Sequence, residues 1–109
     1  MTFRPALREH DLWIGEMAGV NVDGRPVLLV NVEGTVCAYE DRCLHRSFPL
    51  SQGKLAGNRL VCAAHEWTYD AATGCGINPD GVALRRYDVR IVAGQIEVDV
   101  ELKGDLHAR

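Results

Sequence analysis

Hydrophobic and β-branched residues fall in short runs separated by turn dipeptides, with no sustained 3.6-residue period. The runs are "RPVLLVNV" (25–32), "TVCAYE" (35–40), "RLVC" (59–62), "EWTYD" (66–70), "YDVRIV" (87–92) and "QIEVDVEL" (95–102), and each has the composition of a strand. In the last, Ile96, Val98, Val100 and Leu102 alternate with Glu97, Asp99 and Glu101, which predicts one buried and one wet face. Asp23-Gly24, Glu33-Gly34 and Ala93-Gly94 read as tight hairpins, and Gly57-Asn58, Gly74 and Asp80-Gly81 mark further turns. The helical signal is confined to one short turn around Glu9 to Trp13. An all-β fold follows, a sandwich or small barrel.

Length changes the picture little: 109 residues make one domain, 1–109, with room for one core. A hydrophobic share of 47% excludes intrinsic disorder. The formal charge of -3, without a basic run, excludes nucleic acid as a partner. The opening "MTFRPALREHDLW" carries no apolar stretch long enough for a secretory or membrane segment, so the expectation is a soluble cytoplasmic protein with no membrane contact. In that compartment the four cysteines are expected as ligands or core residues, not disulfides.

Candidate chemistry sits in two places. Cys43-x-His45 and Cys62-x-x-His65 lie on either side of residues 46 to 61, so two loops each supply one thiolate and one imidazole, enough for a four-ligand metal site. Structural zinc modules usually pair cysteine with cysteine and histidine with histidine, at wider spacings. A two-iron cluster gives a reason for mixed loops, since one iron takes both thiolates and the other both imidazoles. A zinc-stabilised interaction module, and a coincidence of core cysteines with surface histidines, are the alternatives.

The pattern Cys43-Leu44-His45 with Cys62-Ala63-Ala64-His65 resembles the cluster-binding motif of Rieske proteins. "IGEM" (14–17), "AHEWTYDAATG" (64–74) and "GINPDGVAL" (76–84) resemble the soluble Rieske ferredoxins of multicomponent toluene-type di-iron monooxygenases, a likeness running from about Leu12 to Val100. The resemblance implies antiparallel sheets as a base, a small cluster-binding subdomain over roughly 42–70, and one [2Fe–2S] cluster. Cys43 and Cys62 would hold the buried iron, and His45 and His65 the outer one. The loop from Gly76 to Pro79 matches the loop that covers the cluster. Leu44, Arg46, Ala64, Trp67 and Pro79 are the implied neighbours of the ligands. Leu44 stands where proline is common. Phe48 and Ala64 stand where high-potential members carry an extra disulfide, so that bond cannot form here.

Mixed ligation leaves the oxidised cluster near zero net charge instead of about -2, and such clusters span about -150 to +300 mV. Hydrogen bonds to the sulfurs raise the value. The second-loop stretch "CAAHEW" offers no hydroxyl, which predicts the low end of the range. Elsewhere, Cys37 is expected as a small buried hydrophobe and Cys75 as a loop thiol without a role. His10 and His107 are expected to be solvated. Trp67 is expected in the core, and Gly53, Gly74, Gly76 and Pro79 to shape loops. Glu40, Asp41, Arg42, Arg46 and Glu66 read as a solvated rim around the histidines, with docking of redox partners as the sharper use.

The resemblance implies a monomeric one-electron carrier, not itself an enzyme. It takes electrons from an NADH-dependent flavin and iron–sulfur reductase. It passes them to a di-iron monooxygenase hydroxylase acting on an aromatic hydrocarbon or an alkene such as isoprene. The alternatives are the ferredoxin of a ring-hydroxylating dioxygenase and the small subunit of a nitrite reductase-like enzyme.

Overall fold

At each of the three hairpin dipeptides both residues have positive φ: Asp23 56° and Gly24 82°, Glu33 55° and Gly34 96°, Ala93 52° and Gly94 78°. That is the turn whose twist matches paired strands, and glycine at its second position relieves the strain. The computed structural model describes residues 2–43, 48–63 and 67–100. The hairpins join β2 (Met17–Val22) to β3 (Arg25–Val32), β3 to β4 (Thr35–Glu40), and β9 (Arg86–Val92) to β10 (Gln95–Asp99). With β1 (Arg4–Arg8) they form a six-stranded antiparallel sheet in the order β1-β10-β9-β4-β3-β2. β1 also packs beside β2, so the sheet curls toward a barrel.

A second, four-stranded sheet runs β5 (Lys54–Ala56), β6 (Arg59–Val61), β7 (Thr68–Asp70), β8 (Gly76–Asn78) in sequential order. Short 3₁₀ turns at Glu9–Asp11 and Leu50–Gln52 complete the described elements. The first falls where the helical turn was expected.

β3 and β4 reproduce their sequence runs residue for residue. β6 stops at Val61 and β7 starts at Thr68, because Cys62 and Trp67 leave the ladder to close a loop. β10 departs from clean alternation. Val98, Asp99 and, just past its end, Val100 are all buried, so the end of this strand has no wet face.

Two cores share one wall. Leu28, Val30, Val32, Cys37 and Tyr39 face a core with Leu50, Leu60, Tyr69, Cys43 and Cys62. Val27, Leu29 and Ala38 face the other, with Tyr87, Ile96 and Val98. Successive side chains point to opposite faces, so the β3–β4 hairpin is buried on both sides.

The Tyr39 phenol donates to the Ala71 carbonyl at 2.7 Å, pinning the turn after β7 to the large sheet. Burial pushes its pKa well above the ordinary 10.0, with a further rise from Cys37. Burial raises Tyr87 likewise, with Glu40 adding to it. Raised folded values mean that this contribution to stability is complete below the unfolded value of about 10 and is lost as pH rises above it. Unfolding free energy measured by denaturant titration is therefore expected to fall above about pH 10, less steeply in Tyr39→Phe than in the wild type.

Candidate metal centre

Cys43 lies three residues beyond β4, and its N–H donates to the Phe48 carbonyl at 2.9 Å. Cys62 follows β6 directly, and its N–H donates to the Trp67 carbonyl at 2.8 Å. Each cysteine thus closes its own loop onto the residue five positions later. Both thiols are buried, 1% and 0% exposed, in the same apolar core. His45, His65, Leu44, Arg46, Ala64 and Glu66 lie outside the described residues. Among the described residues no group of three or more metal-ligating side chains comes together.

The donor chemistry fits the thiolate half of a mixed iron–sulfur site. Thiolate ligands are soft and are stabilised against water by an apolar shell. The Tyr69 hydroxyl from β7 reaches into that shell and stands 3.5 Å from Cys43 Sγ, both fully buried. Toward a metal-bound thiolate the phenol is the donor. The stretch "CAAHEW" itself brings no hydroxyl, as read from the sequence, but Tyr69, just beyond it, does. The hydroxyl lies four residues past His65, and the β7 pleat turns it inward. A donor at this sulfur works against a bottom-of-range potential.

The frame around the first loop is clasped at its ends. Asp41 accepts from the Ser51 N–H at 2.8 Å and from the Ser51 hydroxyl at 2.7 Å. A Cβ on Gly19 of β2 would meet Ser51 Oγ at 2.6 Å and Asp41 Oδ2 at 2.9 Å, so glycine lets the clasp lie against the large sheet. Glu40 pairs with Arg42 at 2.8 Å and Arg85 at 3.7 Å. Asp41 is thus a structural acceptor, not a member of a solvated rim. Asp41→Ala removes a charged acceptor from two donors and is expected to cost about 1–3 kcal/mol. Chemical denaturation checks this, with Asp11→Ala, whose partner is an exposed arginine, nearly neutral.

The glycines shape the loops as expected. A Cβ at Gly53 would run into the Val61 carbonyl oxygen, at Gly74 into Tyr39, and at Gly76 into Pro79 and Val82. Trp67 packs half-buried against the core that holds both thiols. Cys37 is buried as expected, but its sulfur also lies 3.5 Å from the Arg86 guanidinium and 3.7 Å from the Ala72 carbonyl. Cys75 is exposed. His10 is exposed and stacks edge-on to Trp13.

An all-β frame presenting two cysteine-closed loops beside one core suits a small iron–sulfur protein. The Rieske [2Fe-2S] domain model matches residues 2–88, and the chain belongs to that family. Over 92 residues it is 39% identical to the alkene monooxygenase system ferredoxin component of Xanthobacter autotrophicus, covering 84% of this chain and 75% of that one. It is 31% identical to the naphthalene 1,2-dioxygenase system ferredoxin component of Pseudomonas putida, over 87% and 92% of the two chains. Among solved structures, the ferredoxin of carbazole 1,9a-dioxygenase from Nocardioides aromaticivorans superposes with a TM-score of 0.83 at 25% identity, covering 93% of this chain and all of that one. The chain is thus an all-β Rieske domain with one Rieske-type [2Fe–2S] cluster. Among the described residues no helix is long and apolar enough to cross a membrane.

Proposed function

We propose that this chain is a one-electron carrier in which Cys43, His45, Cys62 and His65 hold the cluster. In this reading it links an NADH-dependent flavoprotein reductase to a di-iron hydroxylase that oxygenates an alkene or aromatic hydrocarbon. The observation that carries the reading is the pair of buried cysteines, each closing a short loop beside the same core. The cluster supplies reversible one-electron storage. The protein's own part is to hold two thiolates away from water, keep both loops closed, and aim the Tyr69 hydroxyl at Cys43. Fully ligated irons would leave no position for oxygen or substrate, so oxygenation belongs to a partner.

Similarity to an alkene monooxygenase ferredoxin component at 39% identity supports the di-iron branch. The second reading, ferredoxin of a ring-hydroxylating dioxygenase, is favoured by the naphthalene system relative, matched over 92% of its length. A solved complex of oxygenase and ferredoxin from a carbazole dioxygenase, similar at a TM-score of 0.82 and 28% identity, supports an oxygenase as the acceptor.

The test is low-temperature EPR of the purified protein, as isolated and after dithionite. A rhombic signal with average g below that of all-thiolate clusters is expected, and it requires mixed ligation. A colourless protein with stoichiometric zinc, from iron-replete anaerobic expression, would overturn the reading.

A further inference from the structure

Four of the five large hydrophobic residues exposed among the described residues gather at one end of the molecule. They are Trp13 (64% exposed), Ile14 (69%), Ile91 (41%) and Val92 (46%). The pairing register places that end. Ile14 precedes Gly15, whose N–H donates to the Asn31 carbonyl, and Asn31 lies opposite Val36. Val92 ends β9, whose start, Arg86, pairs with Tyr39. The tip of the β9–β10 hairpin reaches the same end, since the Glu9 N–H donates to the Gly94 carbonyl at 2.9 Å. Cys43 lies at the opposite end of β4, roughly 20 Å away at about 3.3 Å per residue.

The Trp13–Ile14 turn is held rigid without a partner. The Glu16 N–H donates to the Trp13 carbonyl at 2.9 Å, and the Asn31 N–H to the Glu16 carbonyl at 3.0 Å. The Glu16 carboxylate accepts from the Trp13 N–H at 2.9 Å, and the indole N–H donates to the His10 carbonyl at 2.7 Å. Buried Asn31 ties the turn further through its amide, which donates to the Leu12 carbonyl at 3.0 Å. Gly15, at φ 84°, makes the turn possible. A fixed, exposed tryptophan loses little entropy on docking, and such side chains are frequent anchors of interfaces. The rim is acidic: Glu9, Asp11, Glu16 and Glu33 stand against Arg8 and Arg90, which are already paired with Asp11 and Glu97.

From this we infer that the Trp13–Ile14 end is a second docking surface for a protein component whose apolar socket is edged by lysine or arginine. The acidic rim disfavours a second copy of this chain and an anionic membrane alike. The inference rests on the carrier reading and adds to it. Docking at an end this far from the cluster leaves the cluster loops open to the electron donor or acceptor, so one component tethers the carrier while the other exchanges electrons with it.

The test uses the holoprotein with the purified reductase and oxygenase of its own system. The variants are Trp13→Ser/Ile14→Ser and, separately, Glu9→Lys/Glu33→Lys. The first is expected to weaken binding to one component by about ten-fold or more, and the second to slow association with that component and flatten its salt dependence. Cluster absorption and dithionite reduction stay as in the wild type. Affinities within about two-fold of wild type for both components, in both variants, would overturn the inference. So would a wild-type dimer that the first variant dissociates, because the occupant is then a second copy. A wild type that carries no electrons from reductase to oxygenase overturns the carrier reading itself.

Discussion

Gly53→Ala is expected to be among the most damaging single-methyl additions in this protein, costing about 3 kcal/mol or more of stability. The methyl would run into the Val61 carbonyl oxygen, a backbone atom. A side chain in the way could change rotamer. Val61 cannot move without disturbing its pairing with Lys54 and Thr68, and Cys62 follows it directly. Gly57→Ala is the control. Its φ of 61° penalises alanine, but nothing lies within 4 Å of the added atom, so it should cost about 1 kcal/mol. Thermal unfolding of both variants, with iron content measured in parallel, separates the two. Equal stabilities would show that the β5–β6 backbone yields freely.

Tyr69→Phe is expected to lower the midpoint potential of the cluster by roughly 20–60 mV. Reduction adds charge to the iron–sulfur unit, so a donor to a ligating sulfur stabilises the reduced form more than the oxidised one. Losing the bond then disfavours the added electron. A net hydrogen bond of about 0.5–1.5 kcal/mol converts at about 59 mV per 1.4 kcal/mol for one electron. Tyr39→Phe is the comparison, since its hydroxyl is engaged by the Ala71 carbonyl. Voltammetry of both variants should show a drop for Tyr69→Phe alone. A Tyr69→Phe midpoint equal to wild type would mean that the phenol does not reach the sulfur in the loaded protein.

The strands that could be read were those whose residues carry their own preference. β3 and β4 are β-branched and aromatic and are closed by Asp-Gly and Glu-Gly turns, so local chemistry and final register agree. β5 and β8 are three residues long, "KLA" and "GIN", and form only because β6 and β7 offer them edges. β2 is diluted by Ala18 and Gly19, and Gly19 is there for Ser51 and Asp41, a reason visible only in three dimensions. The pattern Cys43-x-His45 with Cys62-x-x-His65 pointed to the site because a thiol and an imidazole paired on each of two loops are visible in the sequence. Tyr69 leaves none. It reaches Cys43 across 26 residues of chain, and its meaning depends on which way β7 faces. The clasp of Asp41 to Ser51 is hidden in the sequence for a related reason, since a charge beside other charges looks like a rim until its partner is known.

The closeness of Glu40 to Arg85 has an architectural consequence. The Glu40 N–H donates to the Arg85 carbonyl at 2.9 Å, and Tyr39 pairs with Arg86, so the chain leaves the six-stranded frame and re-enters it at one point. Residues 41–85 form a single excursion from what is otherwise a hairpin of β4 and β9. The entropy of closing such an excursion grows only with the logarithm of its length. Its length and contents can therefore drift while the frame keeps its strand order. What limits the drift is the face that Leu28, Val30 and Tyr39 turn toward it. A replacement cassette must cover that face, whatever else it carries.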